Sequence, residues 1–296
     1  MITAPRERFL DVPSLMTIRN LELRAKVVVE GFWNGLHRSP YHGFSVEFTE
    51  YRQYTPGDDP RYLDWRLFAR SDRYYIKKFE DETNLRCLLM VDQSRSMLFG
   101  SGSYSKNDYA HTLAATLAYF LFEQGDAVGL MAFHERIQEY LPVRNRPGHL
   151  RQIMLALEKP AAGKETNLAL PLKRVSEMVR KRGMFVMISD FLTPLEEFAS
   201  ALRLLAASGN ELLLFQVLDP AEVIFNLEKV TLFQDRENER ELFIDPAQAR
   251  GGYLARFNEH QLALRQIAQG LGAHYQLLRT DQLLQHALLE FLQRRV

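Results

Sequence analysis

The chain has 296 residues, of which 46% are apolar and 25% charged, the proportions of a soluble globular protein with room for one large domain and an appendage or for two modest domains. Its 37 Lys and Arg balance its 37 Asp and Glu, so no global field draws it onto nucleic acid or an anionic membrane. The single cysteine, Cys87, excludes a disulfide framework and a cysteine zinc site; with no signal-peptide core at the start and a longest apolar stretch, 113–122, well short of the roughly 20 residues that span a bilayer, a cytoplasmic location and no membrane span are expected.

Apolar residues Leu15, Ile18, Leu21, Ala25, Val28, Val29 and Phe32 recur near the 3.6-residue period, which predicts an amphipathic helix over 14–32, capped by Ser14 and stopped near Gly31 and Gly35. The turn-rich connection that follows holds His37 and His42; with no third ligand close by, they read as structural. A strand or extended segment is expected over 44–54, then a turn into a helix over 60–70, with Asp59 as N-cap and Pro60 at the first helical position, where a missing amide hydrogen costs nothing. Residues 74–79 read as a further strand.

From Cys87 to Val91 the chain is continuously apolar, the pattern of a strand buried on both faces of a parallel sheet. Asp92, Ser94 and Ser96 follow at alternate positions. A carboxylate and two hydroxyls on a loop leaving such a strand can converge on a small divalent cation, and they can equally satisfy backbone amides within a turn. Helices predicted over 107–124, 149–157, 168–182, 195–207, 253–271 and 282–293 then alternate with strands over 126–133, 137–143, 183–190, 211–218 and 275–278, the pattern of a doubly wound sheet. The segment 137–143 follows its neighbour so closely that an antiparallel edge hairpin is expected, and 230–233 with 241–244 reads as a surface hairpin. Arg180, Lys181 and Arg182 read as favourable charge at a helix carboxyl end. Asp190 closes the 183–190 strand, and Thr166 stands just before a helix, as an N-cap would. Ligands of open α/β sheets bind beyond the carboxyl ends of strands at the switch point, where Asp92 and Asp190 would both lie.

Asp92, Ser94, Ser96, Thr166 and Asp190 together resemble the metal-ion-dependent adhesion site of von Willebrand factor type A domains, Asp-x-Ser-x-Ser followed by a distant Thr and a distant Asp. The resemblance implies Mg2+ or Mn2+ held directly by Ser94, Ser96 and Thr166, with Asp92 and Asp190 acting partly through water and one position left open for a partner's Glu or Asp. Upstream, Arg52, Tyr54, Gly57, Asp58, Asp59, Arg61, Asp64, Trp65, Ala69 and Arg70 spell a segment similar to the signature of the family called domain of unknown function 58. Members join that segment to a von Willebrand A-like domain and often accompany AAA+ ATPases of the MoxR type, which implies an adaptor or cochaperone with a MoxR-type ATPase or an acidic client protein as partner. Read without the family, the same charges form an ion-pair lattice fixing the turn and helix to the main domain.

The expected architecture is therefore α/β, a doubly wound, mostly parallel sheet with an N-terminal helix-plus-strand extension packed on it, divided at 1–84 and 85–296. Catalytic patterns are not met. Gly163-Lys164 resembles the end of a phosphate loop, but Glu158 stands where its first glycine belongs and Glu165 where Ser or Thr should follow. No nucleophile elbow, dinucleotide turn or zinc helix occurs, and no motif ties His111, His134 or His149 to the Asp92 loop as a base. The reading is a non-enzymatic, Mg2+-dependent interaction module; a hydrolase using the same ion and a scaffold with a vestigial site are the alternatives.

Overall fold

In chain order the elements are α1 (Val12–Met16), α2 (Leu21–Leu36), β1 (Tyr51–Gln53), β2 (Tyr75–Lys77), β3 (Arg86–Asp92), α3 (Lys106–Glu123), β4 (Ala127–Phe133), β5 (Ile137–Arg144), α4 (His149–Leu157), α5 (Ala169–Met178), β6 (Met184–Ser189), α6 (Leu195–Ala207), β7 (Glu211–Leu218), α7 (Pro220–Ile224), β8 (Thr231–Gln234), β9 (Glu241–Ile244), α8 (Pro246–Gly270), β10 (His274–Arg279) and α9 (Leu284–Gln293). The computed structural model describes residues 10–36, 51–53, 75–77, 85–160, 168–179, 181–225, 231–234, 241–244 and 246–293. Contacts group the described residues through Trp33 with those from Leu85 onward, and set Asn34–Asn84 apart as a second unit; the division expected from the sequence instead places the first helices with the signature segment.

In the second unit β1 and β2 pair antiparallel, Tyr51 opposite Lys77 and Gln53 opposite Tyr75. These are the described parts of the strands expected over 44–54 and 74–79. The helix expected over 60–70, the signature side chains, and His37 and His42 lie outside the described residues.

The larger unit is built on six strands in the order β10-β7-β6-β3-β4-β5. All neighbours are parallel except β5, which runs antiparallel to β4 at the edge, as expected. Numbered from one within this sheet, the order reads 6-5-4-1-2-3, a doubly wound sheet whose switch point lies between β3 and β6. β3 is held on both sides, Cys87 beside Val128 and Met184, Val91 beside Ala132 and Ile188. Its continuous apolar run follows from that position, because both faces are covered. Leu88 and Met90 join Met131, Phe185, Leu202 and Leu264 in one core, and alternation turns Leu89 and Val91 to the other face. α3 is buried along nearly its whole length to Leu121, as befits a helix inside a core. The β8–β9 hairpin also forms, Thr231 opposite Ile244.

Three expectations are corrected. The helix expected over 14–32 is two helices, α1 and α2. Asp11, not Ser14, caps the first, its Oδ1 accepting the Ser14 amide at 3.2 Å, with Pro13 in the opening turn. Asn20 Oδ1 accepts the Leu23 amide at 2.7 Å as α2 restarts, and the Arg24 guanidinium braces the joint, 2.6 Å from the Ile18 carbonyl and 2.9 Å from Thr112 Oγ1. α5 ends at Met178 because Val179 is extended (φ −94°, ψ 109°), so Lys181 and Arg182 lie beyond the helix and not in its last turn. Asp219 does not merely end β7; with Glu222 it forms a capping box that opens the short α7. Among the described residues no helix is long and apolar enough to cross a membrane.

Candidate metal centre

Asp92 ends β3 and Asp190 follows β6, so the parallel pairing of these two strands brings their carboxylates to the same edge of the sheet. Both are fully buried. Asp92 Oδ1 accepts the Ser94 amide at 2.8 Å and Oδ2 accepts the Ser189 hydroxyl at 2.5 Å. The turn chemistry anticipated for this loop is thus present, and it is what folds Ser94 back toward the strand. A single 3-10 turn, Arg95–Leu98, follows with fully buried Met97 as its anchor, and it sets Ser94 Oγ 3.1 Å from Ser96 Oγ. Asp190 Oδ1 accepts the Leu192 amide at 3.1 Å, its Oδ2 the Lys106 ammonium at 2.8 Å, and its main-chain carbonyl the Gln216 side-chain amide at 2.7 Å. The Ser96 side chain also acts on the Asp190 carboxylate and favours its charged form. Asp92, Ser94, Ser96 and Asp190 therefore meet; Thr166 lies outside the described residues.

The chain reverses at once after Asp190. Phe191 holds a left-handed backbone (φ 53°) although it is not glycine, a conformation that costs of order 1 kcal/mol or more and is kept only where its surroundings over-determine it. Here the Phe191 amide donates to Ser189 Oγ at 3.0 Å, its carbonyl lies 2.8 Å from His260 Nε2, and its buried ring packs 5.5 Å from Phe198. This bend is what turns the Leu192 amide back onto Asp190.

The two carboxylates are electrostatically unlike. Burial raises the Asp92 carboxyl to about 7, Asp190 pushes it in the same direction, and the hydrogen bonds from Ser189 and Ser94 only partly oppose them. Burial would raise Asp190 too, but the Lys106 ammonium outweighs it and holds that carboxyl below its ordinary value. Burial works against the Lys106 charge, yet Asp190 and Glu222, 2.8 Å and 2.7 Å away, push it up to about 12. Burial raises Glu222 against the pull of Lys106.

Two carboxylates and two hydroxyls are hard oxygen donors, suited to Mg2+ or Mn2+ and not to zinc; among the described residues no three His, Cys, Asp or Glu side chains cluster as a metal site. Neighbouring vertices of a Mg2+ octahedron lie roughly 3 Å apart, which the 3.1 Å between the two serine hydroxyls matches. Asp92 is buried without an ion-pair partner among the described residues, a situation that a bound cation would relieve. The residues present fit the ion.

Four contributors escaped the sequence reading: Ser189, Lys106, Gln216 and Glu222. Three of them leave a trace. Gln216 interrupts an apolar strand, the Ser105–Asp108 capping box puts a lysine at the first position of an apolar helix, where the dipole disfavours it, and Asp219-Pro220-Ala221-Glu222 spells a cap.

Residues 50–263 match the family described as "Protein of unknown function DUF58". The chain belongs to the DUF58 family. Among similar proteins, Uncharacterized protein Rv1480 of Mycobacterium tuberculosis is 33% identical over 92% of this chain and 87% of its own length, and Uncharacterized protein Mb1516 of Mycobacterium bovis matches to the same extent. Among solved structures, the conserved hypothetical protein BatB of Bacteroides thetaiotaomicron superposes with a TM-score of 0.50 at 16% identity, covering 71% of this DUF58 chain and 98% of BatB. That likeness is one of fold, and with the strand order it makes the larger unit a von Willebrand A-like α/β domain.

Proposed function

We propose that this DUF58 protein is an interaction module that engages its partner through a divalent ion, Mg2+ or Mn2+, at the carboxyl edge of the sheet. The observation carrying the reading is the meeting of Asp92, Ser94, Ser96 and Asp190 at the switch point, with Asp92 buried and unmatched by a cation among the described residues. Ser94 and Ser96 would hold the ion through their hydroxyls, with Asp92, Asp190 and Thr166 as the remaining protein ligands. When bound, the ion supplies a Lewis-acidic position that a Glu or Asp of another protein can fill. The partner in this reading is a MoxR-type AAA+ ATPase or a client protein with an accessible acidic side chain. A non-enzymatic role is supported by the contacts that engage three histidines within the fold: His149 Nε2 lies 2.9 Å from the Val128 carbonyl, His134 Nδ1 accepts the Glu135 amide, and His111 faces Gln93.

The test is calorimetric titration of chelator-treated protein with Mg2+ and Mn2+, as wild type and as Asp92→Asn, followed by capture of the ATPase with and without chelator. Saturable ion binding in the wild type alone, with capture lost on chelation, is expected. Capture that survives chelation overturns the reading.

A further inference from the structure

The Lys106 side chain has 0% exposure and no place in the metal-centre pattern. It opens α3, where the helix dipole disfavours a cation, and its ammonium lies 2.8 Å from Asp190 Oδ2, 2.7 Å from Glu222 Oε1 and 6.0 Å from the centre of the Phe99 ring. The two ends of this bridge differ. Glu222 is clamped, because its Oε2 accepts the Asp219 amide at 2.9 Å in the capping box of α7, while the Asp219 carboxylate accepts the Ser101 amide at 2.9 Å and the Ser101 hydroxyl at 2.6 Å. Lys106 is therefore tied to a fixed acid on one side, and on the other it occupies an oxygen of Asp190, one of the four groups gathered for the ion. Stability does not account for the arrangement: a desolvated ion pair gains little over apolar side chains of the same volume, and apolar side chains fill most of α3.

Building on the ion-dependent reading above, we propose that Lys106 is a tethered internal cation that competes with the divalent ion for Asp190 and keeps the ion weakly held until a partner adds its own carboxylate. Divalent-ion affinity in oxygen sites follows the count of charged ligands. One ammonium between two carboxylates leaves that group a net charge of −1, but the ammonium sits directly on Asp190 Oδ2, so an incoming ion finds Asp92 free of a cation and must share Asp190 with a second cation, whose repulsion is strong in a buried site. A partner's Glu or Asp restores the missing charge. Ion and partner then bind together, each weakly without the other, and the ligand chemistry selected is an acidic side chain on a protein surface.

The decisive comparison is between wild type, Lys106→Met and the double variant Lys106→Met/Glu222→Gln, each titrated as the full chain with Mn2+ and with Mg2+ after chelation. The double variant removes one positive and one negative charge, so the net charge around Asp190 is unchanged and only the competitor is gone. It also avoids leaving Glu222 as a buried carboxylate without a counter-ion, which would destabilise the single variant. Mn2+ binding at least tenfold tighter in the double variant than in wild type, with a larger rise of its unfolding temperature on adding Mn2+, is the expected result. Equal affinities in the two proteins overturn the competition and leave the ion site standing. Weaker binding in the double variant overturns it in favour of Lys106 arranging Asp190 for the ion. No saturable binding in any of the three overturns both this role and the ion-dependent reading.

Discussion

Gln216→Leu removes the hydrogen bond that holds Asp190 from within the sheet. Gln216 is fully buried in β7, its Nε2 2.7 Å from the Asp190 carbonyl and its Oε1 2.5 Å from the Tyr275 hydroxyl. Leucine fills a similar space but offers no donor, so the Asp190 carbonyl loses this partner, whereas the Tyr275 hydroxyl keeps Gln261 Oε1 at 2.7 Å. A buried acceptor left unpaired costs about 1–3 kcal/mol, and the apolar burial of leucine returns part of it, so a net loss of roughly 1–2 kcal/mol is expected. In urea unfolding without metal the midpoint should fall with an unchanged slope, since the surface exposed on unfolding is the same. Ion affinity should fall as well, because Asp190 loses its fixed orientation. Tyr275→Phe serves as the control: it alters the same network without touching Asp190 and should leave ion affinity as it is. A Gln216→Leu midpoint within experimental error of wild type, or equal losses of ion affinity in the two variants, would refute the reasoning.

Gly129→Ala should destabilise by about 2–3 kcal/mol, because a Cβ there would stand 2.7 Å from the Leu141 carbonyl oxygen and 2.8 Å from the Val143 amide, backbone of β5 at a register shift that cannot swing aside; a melting temperature equal to wild type would contradict it. Trp33→Ala removes a ring stacked 5.6 Å from Phe120, and because Trp33 is only partly buried the loss should be about 2 kcal/mol, below the full cost of a core tryptophan. It should appear within the main unfolding transition of the α/β unit, and a separate early transition for the first helices would count against their membership in it. Burial lowers the His111 imidazole to about 4. Its folded value lies below the unfolded one, so its contribution is complete above about pH 6.5 and is lost as pH falls toward 4. Asp92, raised to about 7, has the opposite sign: the folded state binds its proton first, and stability from it grows as pH falls from 7 toward 4. The two oppose each other in the wild type, and His111→Phe should expose the Asp92 trend as stability that rises on acidification relative to wild type; parallel pH profiles for the two proteins would rule this out.

The sheet was legible wherever burial left no alternative to a strand. β3, β4, β6 and β7 are apolar on both faces and stand out from any surface segment, and the antiparallel edge strand followed from a connection too short for a crossover. The turn carrying Asp92, Ser94 and Ser96 was legible because its three oxygen donors are local in the chain. What pairs with them was not, since Ser189 and Lys106 reach Asp92 and Asp190 across sequence separations of 97 and 84 residues, and no local pattern encodes a contact between distant segments. Helix ends were misjudged where a tertiary contact decides them. Arg24 braces the break between α1 and α2 by reaching Thr112 on α3, and nothing within 14–32 announces that partner. Val179 turns extended after Met178, although the basic residues beyond it read as a natural helix end.

The pairing of β3 with β6, Cys87 beside Met184, also sets the order in which the protein can mature. A parallel neighbour so distant in the chain closes a large loop, and such closure comes late and slowly in folding. During synthesis Asp92, Ser94 and Ser96 emerge long before Ser189 and Asp190, and a ribosome-bound fragment ending anywhere in α5 carries half a site. On the proposed reading, ion binding at this edge requires the finished domain, and Mn2+ affinity measured on nascent chains of increasing length should switch on only after β6 has left the ribosome.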